Sequence, residues 1–156
     1  MFFIKSLKVT NFRGLADFAC NLSPNINVIV GDNESGKTTV LEAISVGIGG
    51  FFKGFEGVQS LPFSHENVRR DAQTGYLYYE SSVALDYHFG ERGGSLIRRL
   101  RRAGARTETS IKGGLPLSER RDLPFFGYYG AMDRASRTQN PRLEPIPVGR
   151  ILRPDG

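Results

Sequence analysis

Residues 31–38 read Gly31-Asp32-Asn33-Glu34-Ser35-Gly36-Lys37-Thr38, which fits the pattern G-x-x-x-x-G-K-[ST]. Glycine at both ends of such a loop lets the backbone curl, so that successive N–H groups point inward and can cradle phosphate oxygens. The lysine of this pattern places its ammonium on the β- and γ-phosphates, and the Ser or Thr hydroxyl completes a Mg²⁺ shell. The segment therefore predicts a nucleotide-binding P-loop in which Lys37 contacts phosphate and Thr38 ligates the metal.

The residues on either side of the loop have the composition that a P-loop requires. Residues 26–30 (INVIV) form a β-branched run of the kind that predicts a buried strand. Apolar residues then recur at helical spacing from Lys37 to Ile48, and Gly49-Gly50 predicts the end of that helix. A match to the loop pattern arises by chance about once in a hundred chains of this composition. A glycine-rich turn without a nucleotide is therefore the weaker interpretation.

Alternating polar and apolar residues predict antiparallel strands in the rest of the chain. We expect strands over residues 2–10, 15–22 and 75–89, a turn at Gly93-Gly94, a hairpin of 95–101 with 106–112, and a further strand over 123–129. The fold class is α/β. It comprises a P-loop nucleotide-binding lobe over 1–50, an antiparallel β-rich subdomain with a returning strand over 51–139, and a Pro-rich tail over 140–156.

Composition limits the class of protein. The chain has 156 residues and is 39% hydrophobic, which suits one folded domain. No stretch is apolar enough to span a membrane, and the N-terminus does not have the form of a signal peptide. The single cysteine, Cys20, excludes an internal disulfide and fits a reducing cytoplasm. The net charge of +5 falls entirely in the second half of the chain and comes mostly from arginine, which suits a polyanionic partner or simply a solvated surface.

Two blocks around the P-loop resemble the amino-terminal lobe of RecF/SMC-type ABC ATPases. They are residues 4–15 (IKSLKVTNFRGL) and residues 30–44 (VGDNESGKTTVLEAI). That group includes the OLD-family nucleases and related AAA ATPases of DNA repair and phage defence. The close resemblance covers about residues 3–48, and a weaker one lies in residues 123–130 (LPFFGYYG) followed by Arg134.

The resemblance implies an ATPase, with ATP and Mg²⁺ bound on residues 31–39. Asp32, Asn33, Glu34, Ser35 and Thr39 would then belong to the phosphate cradle together with the motif residues. Arg13, in the N-F-R segment, would lie near the nucleotide, although a surface arginine after a strand is an equal alternative. In such ATPases two heads form a homodimer around ATP, and DNA is a partner of the group.

The chain departs from that group in two motifs. The group has a Walker B strand ending in Asp-Glu, but the only apolar run ending in Asp here is residues 83–86 (VALD), which Tyr87 follows, so we interpret it as an ordinary strand. The L-S-G-G-like signature is also missing, since residues 117–120 (LSER) lack the glycines. Gln59, Gln73 and Gln139 are the candidates for a γ-phosphate sensor, and Gln139 is the best placed. We therefore expect an incomplete lobe that binds ATP and hydrolyses it weakly or not at all.

Two other functions stay open on the sequence. A small P-loop kinase or phosphotransferase needs no dimer signature, and the arginines of residues 98–106 imitate a kinase lid. A truncated, non-catalytic remnant would keep the fold without turnover. A small GTPase is excluded because no N-K-x-D follows the P-loop. The arginines of residues 98–102 are also candidates for contacts with a DNA backbone, although a strand cannot point all of them to one side.

Overall fold

The computed structural model describes residues 1–52, 61–101 and 107–112. The described residues all lie in the first of two compact units, Met1–Phe126. Their elements are β1 (Phe2–Phe12), β2 (Leu15–Asn21), α1 (Lys37–Ile48), a 3₁₀ turn (His65–Asn67), β3 (Glu80–Phe89), β4 (Arg92–Arg101) and β5 (Thr107–Lys112). The predicted boundaries at residues 50 and 140 stay predictions, as does the strand over residues 123–129, which lies outside the described residues.

The five strands form one antiparallel sheet in the order β2-β1-β3-β4-β5. Strand β1 comes early in the chain but lies between β2 and β3 and pairs with both, and its residues Leu7, Val9 and Phe12 are buried. The core on that face is made of apolar side chains from β1, β3 and β4, namely Leu7, Val9, Phe12, Val83, Leu85, Tyr87, Leu96 and Leu100. The first two strands, the helix and the hairpin were predicted at nearly these positions, and these predictions are confirmed.

Helix α1 packs on the apolar face of the sheet at close range. A Cβ added at Gly47 would lie 2.7 Å from Leu85 Cδ1 and 3.1 Å from Val83 Cγ1, so only glycine fits here without displacing buried side chains. The buried positions are Val40, Ala43, Val46 and Gly47. Leu41 is one of the apolar residues whose spacing predicted the helix, but it is exposed. Within the described part of the chain, α1 and the 3₁₀ turn are the helical segments, and neither has the length and apolar character needed to cross a bilayer.

The strand predicted over residues 26–30 is wrong for this structure. These residues have no regular secondary structure, and Val28 and Val30 are 78% and 87% exposed. A β-branched run becomes a strand only where a neighbour completes its ladder, and no described strand pairs with it. Asn27 instead makes two bonds with Ser23, accepting from its N–H at 2.7 Å and donating to its C=O at 2.9 Å.

Two further sequence interpretations are settled by the sheet. Gly93 and Gly94 lie inside β4 rather than in a turn, and the chain reverses before them at Gly90, which has a φ of 61°. A left-handed backbone of this kind suits glycine, which explains the shift of the turn. Asp86 lies in the middle of β3 and accepts a bond from the Ser6 hydroxyl at 2.7 Å. Residues 83–86 are therefore an ordinary strand, as predicted.

Candidate nucleotide-binding site

The loop before α1 is tightly curled. Gly36 occupies the N-cap of the helix with φ 91°, and Glu34 has φ 67°. Glycine adopts this left-handed conformation without cost, whereas a residue with a Cβ pays about 1–2 kcal/mol. Strained residues of this kind cluster at functional sites. The glycine of the G-K-[ST] motif is therefore required by the backbone itself.

The first glycine of the motif lies close to the Ser35 side chain. A Cβ added at Gly31 would lie 2.7 Å from the Ser35 hydroxyl oxygen. The two ends of the loop thus approach each other across its opening. A side chain at position 31 would therefore require the exposed Ser35 hydroxyl to turn away.

The Lys37 ammonium lies against the loop that precedes it. Its Nζ donates to the carbonyl oxygens of Gly31, at 2.8 Å, and Asp32, and it approaches the Ser35 hydroxyl oxygen at 3.4 Å. The side chain reaches back from the first turn of the helix over the loop to make these bonds. The positive charge is therefore already held at the mouth of the loop, where a phosphate group would be received.

The start of α1 adds a second positive feature. No side chain caps the helix, and its first turn holds no acidic residue. The first N–H groups of a helix have no intrahelical partner, and the helix dipole places partial positive charge on them. Thr38 lies exposed in this turn and Thr39 is half-buried, while Asp32 and Asn33 lie exposed in the loop. This arrangement of a curled loop, an ammonium and an uncapped helix start fits a phosphate group.

Arg13 lies in the tight turn between β1 and β2. Both Asn11 and Arg13 have left-handed backbones there, with φ values of 50° and 47°. The Arg13 guanidinium forms an ion pair with Glu42 of α1, with 2.6 Å between Nη2 and Oε1. The Arg13 side chain is 45% exposed and that of Glu42 only 19%. The structure thus attaches Arg13 to the P-loop helix.

The buried Asn67 joins this ion pair. Its amide Nδ2 donates to Glu42 Oε1 at 3.1 Å, and its backbone C=O accepts from the Arg13 N–H at 2.7 Å. Its Oδ1 accepts from the Ser64 N–H at 2.9 Å, in a capping box at the 3₁₀ turn. Sequence reasoning missed both Glu42 and Asn67. A spacing of four residues from Thr38 was the available signal for Glu42, and the S-x-x-N capping pattern was the signal for Asn67.

The arginines of β4 are divided between the two faces of the sheet. Arg98 is buried and donates to the carbonyl oxygens of Val46, in α1, and Leu61, at 3.2 Å for the latter. Burial lowers the pKa of Arg98. On the other face, Glu80 pairs with Arg99 and Arg101, with nitrogen–oxygen distances of 3.6 and 2.8 Å. Arg98 is therefore unavailable to a ligand, whereas Arg99 and Arg101 keep 41% and 46% of their side chains exposed, and Arg102 and Arg106 lie outside the described residues.

Within the described part of the chain, no glutamine candidate is seen in contact with the loop of residues 31–38. Gln73 lies in the exposed turn between the 3₁₀ turn and β3, where its N–H donates to the Asp71 carboxylate at 3.1 Å. The pKa of Asp71 is lowered mainly by its bonds from Thr74. Gln59 and Gln139 lie outside the described residues. The γ-phosphate sensor therefore stays a prediction.

Comparison with known proteins agrees with this geometry. Residues 6–121 match the family model of the AAA domain. The chain belongs to the AAA domain family. A chain from a structural study of the ATP-driven dimerization and DNA-stimulated activation of SMC ATPases superposes on this AAA domain with a TM-score of 0.54 and 18% identity, over 71% of this chain and 70% of that one. The fold is accordingly that of the N-terminal lobe of a RecF/SMC-type ABC ATPase.

The curated relatives of this AAA domain are DNA replication and repair proteins named RecF. The protein from Idiomarina loihiensis is 36% identical over 90 residues, and that from Clostridium perfringens strain SM101 is 50% identical over 42 residues. The RecF of Lysinibacillus sphaericus is 49% identical over 43 residues. These matches cover 58%, 27% and 28% of this chain but only 23%, 12% and 12% of the relatives. The chain thus spans less than a quarter of each of these RecF proteins.

Proposed function

We propose that this chain is the ATP-binding N-terminal part of a RecF/SMC-like ATPase that couples ATP binding and hydrolysis to DNA repair. The observation that carries the proposal is the Lys37 ammonium, held at the mouth of a curled loop beside an uncapped helix start. The membership of the AAA domain family and the RecF relatives support the same proposal. An OLD-like role in phage defence is a second setting for the same ATP chemistry.

The residues of the loop fit Mg-ATP. The N–H groups of the loop 31–36 and of the start of α1 would hold phosphate oxygens, with Asn33 at the exposed rim and Lys37 contacting the β- and γ-phosphates. The Thr38 hydroxyl would ligate Mg²⁺, which supplies neutralisation of the phosphate charge. Arg13, fixed to α1 by Glu42, would add a cation at the edge of this site.

Hydrolysis by this chain alone should be slow. Residues 1–156 contain neither an apolar strand ending in Asp-Glu nor an L-S-G-G-like segment. Without these groups the attacking water is not positioned by the chain itself, so rapid turnover would require them from elsewhere. We therefore expect the ATPase to work as a homodimer of heads in the cytoplasm, with DNA as a partner. The kinase alternative is not favoured, because the AAA family model and the RecF relatives both support an ATPase.

Calorimetric titration of the 156-residue chain with Mg-ATP tests the proposal. We expect binding that Lys37→Ala weakens at least about tenfold, since a charge-assisted bond contributes roughly 1.5–3 kcal/mol. Lys8→Ala is the matched control, because Lys8 is exposed in β1, outside the loop. Equal affinities for the chain and Lys37→Ala would contradict the proposal, and so would no binding at millimolar nucleotide. Lys37-dependent turnover of ~1 s⁻¹ or faster would contradict the expectation of weak hydrolysis.

A further inference from the structure

We infer that Glu42, itself held by Asn67, is a positioning residue that fixes the Arg13 guanidinium on the P-loop helix for contact with bound nucleotide. The inference rests on the proposed function, since it concerns how the same site holds a triphosphate. It adds two residues, one on α1 and one in the 3₁₀ turn, that the P-loop motif does not contain.

The first step is the position of Glu42 on α1. It follows Thr38 by four residues, so the two lie on the same face of the helix, with about 6 Å of rise between them. Thr38 is the proposed Mg²⁺ ligand. The ion pair of 2.6 Å therefore brings the Arg13 guanidinium to the helix face that carries the metal-binding hydroxyl.

The second step is the support behind Glu42. The Asn67 Nδ2 donates to Glu42 Oε1 at 3.1 Å, and the Arg13 Nη2 lies 2.6 Å from the same carboxylate oxygen in the ion pair. Asn67 is 5% exposed, and Ser64 fixes the orientation of its amide through Oδ1. A carboxylate bonded from two directions has little freedom to turn, so Arg13 meets an acceptor whose position is set before any ligand arrives.

The third step concerns Arg13 itself. Its backbone is held in a left-handed turn by the bond from its N–H to the Asn67 carbonyl, and its side chain is held by Glu42. A guanidinium has five N–H donors, and its 2.6 Å approach to Glu42 is through the terminal nitrogen Nη2. With 45% of the side chain exposed, the remaining donors can bind an anionic group. Arg13 is thus a preorganised cation, which binds phosphate at less entropic cost than a free side chain.

A double-mutant cycle measured on the 156-residue chain tests this role. The readout is the Kd for Mg-ATP of Glu42→Gln, Arg13→Gln and the double variant, with the thermal unfolding midpoint measured for each. We expect each single substitution to weaken binding about 3- to 10-fold, and the double variant to bind no more weakly than Arg13→Gln. Such non-additivity is the mark of one residue acting through another. Glu66→Gln is the matched control, since this exposed carboxylate lies next to Asn67 and makes no bond to Arg13.

A conservative variant separates positioning from mere stability. Glu42→Asp keeps the charge, so it should bind Mg-ATP at least twofold more tightly than Glu42→Gln. If Glu42→Gln fails to fold, Glu42→Asp and Arg13→Gln carry the cycle instead. The inference would be overturned if the effects of Glu42→Gln and Arg13→Gln on the Kd for Mg-ATP simply multiply in the double variant. Unchanged affinity in Glu42→Gln would overturn it as well. In either case, binding that depends on Lys37 would leave the proposed function intact. If the unchanged chain shows no Lys37-dependent binding, the proposed function fails, and this inference fails with it.

Discussion

The Arg13 guanidinium and the Glu42 carboxylate are 2.6 Å apart, so the turn between the first two strands is tied to the helix that follows the P-loop. The two residues lie 29 positions apart in the sequence, and neither is part of the G-x-x-x-x-G-K-[ST] pattern. The ion pair joins the N-F-R block to the P-loop block: one supplies a cation, and the other supplies the carboxylate that holds it.

Replacement of Gly36 should damage the loop in a way that a similar replacement elsewhere does not. Gly36→Ala forces a Cβ into a left-handed backbone with φ 91°, at a cost of about 1–2 kcal/mol. Gly75→Ala imposes the same kind of strain at φ 69°, in the turn between the 3₁₀ turn and β3, outside the loop. Chemical denaturation should show a similar loss of stability for both variants. Only Gly36→Ala should weaken Mg-ATP binding in calorimetry, and equal affinities for the two would contradict this.

Arg98 should contribute far more to stability than its neighbour Arg99. Arg98→Ala leaves the carbonyls of Val46 and Leu61 without this donor and opens a gap against the Phe63 ring, over which the guanidinium lies at 5.9 Å. We expect a loss of about 2–4 kcal/mol in the free energy of unfolding, measured with urea. Arg99→Ala breaks an exposed pair with Glu80 and should cost less than about 1 kcal/mol. A loss of the same size in both variants would show that Arg98 does not support α1.

Removal of the Tyr87 hydroxyl should stabilise the protein. Tyr87 is 2% exposed, its ring packs against Phe51 at 4.9 Å between centroids, and its hydroxyl has no hydrogen-bond partner among the described residues. A buried hydroxyl without a partner costs about 1–3 kcal/mol. Tyr87→Phe should therefore raise the free energy of unfolding by about 1 kcal/mol. The matched control is Tyr79→Phe at an exposed position, which should change it by less than about 0.5 kcal/mol. A destabilised Tyr87→Phe would mean that the hydroxyl has a partner.

Stability should fall at alkaline pH because of the half-buried Cys20 thiol and the buried Tyr87 hydroxyl. Burial raises the pKa of Cys20 above its ordinary 9.0 and that of Tyr87 above 10.0. In the unfolded chain both groups ionise at their ordinary values, so their contribution is complete below about pH 9 and is lost as the pH rises through the folded values. Urea unfolding between pH 8 and 11 should show this decline. The decline should be smaller in Cys20→Ala/Tyr87→Phe, and a decline of unchanged size would assign it to other groups.

Local pattern was enough to predict much of the fold. The bounds of α1 follow from the apolar spacing after Lys37 and from Gly49, and the hairpin of β4 and β5 follows from alternation. Pairing partners are not local, which is why the strand over residues 26–30 was wrongly predicted. In the candidate site, too, local features could be predicted and long-range contacts could not. The motif itself predicted that Gly36 takes a glycine-specific conformation and that Lys37 lies at the loop. The roles of Glu42 and Asn67, by contrast, depend on contacts that span 25 or more positions and leave little trace in the local sequence.

The exposed β-branched run at residues 26–30 has a practical consequence for the isolated polypeptide. Unpaired backbone flanked by apolar side chains such as Val28 and Val30 is a template to which another copy can add as a strand. Light scattering should therefore detect concentration-dependent aggregation, and Val28→Lys should reduce it. Because this run leads directly into Gly31, aggregation would also distort the loop and lower the fraction of molecules able to bind nucleotide. The solubility of the chain and the apparent stoichiometry of its ATP binding are thus linked through five residues.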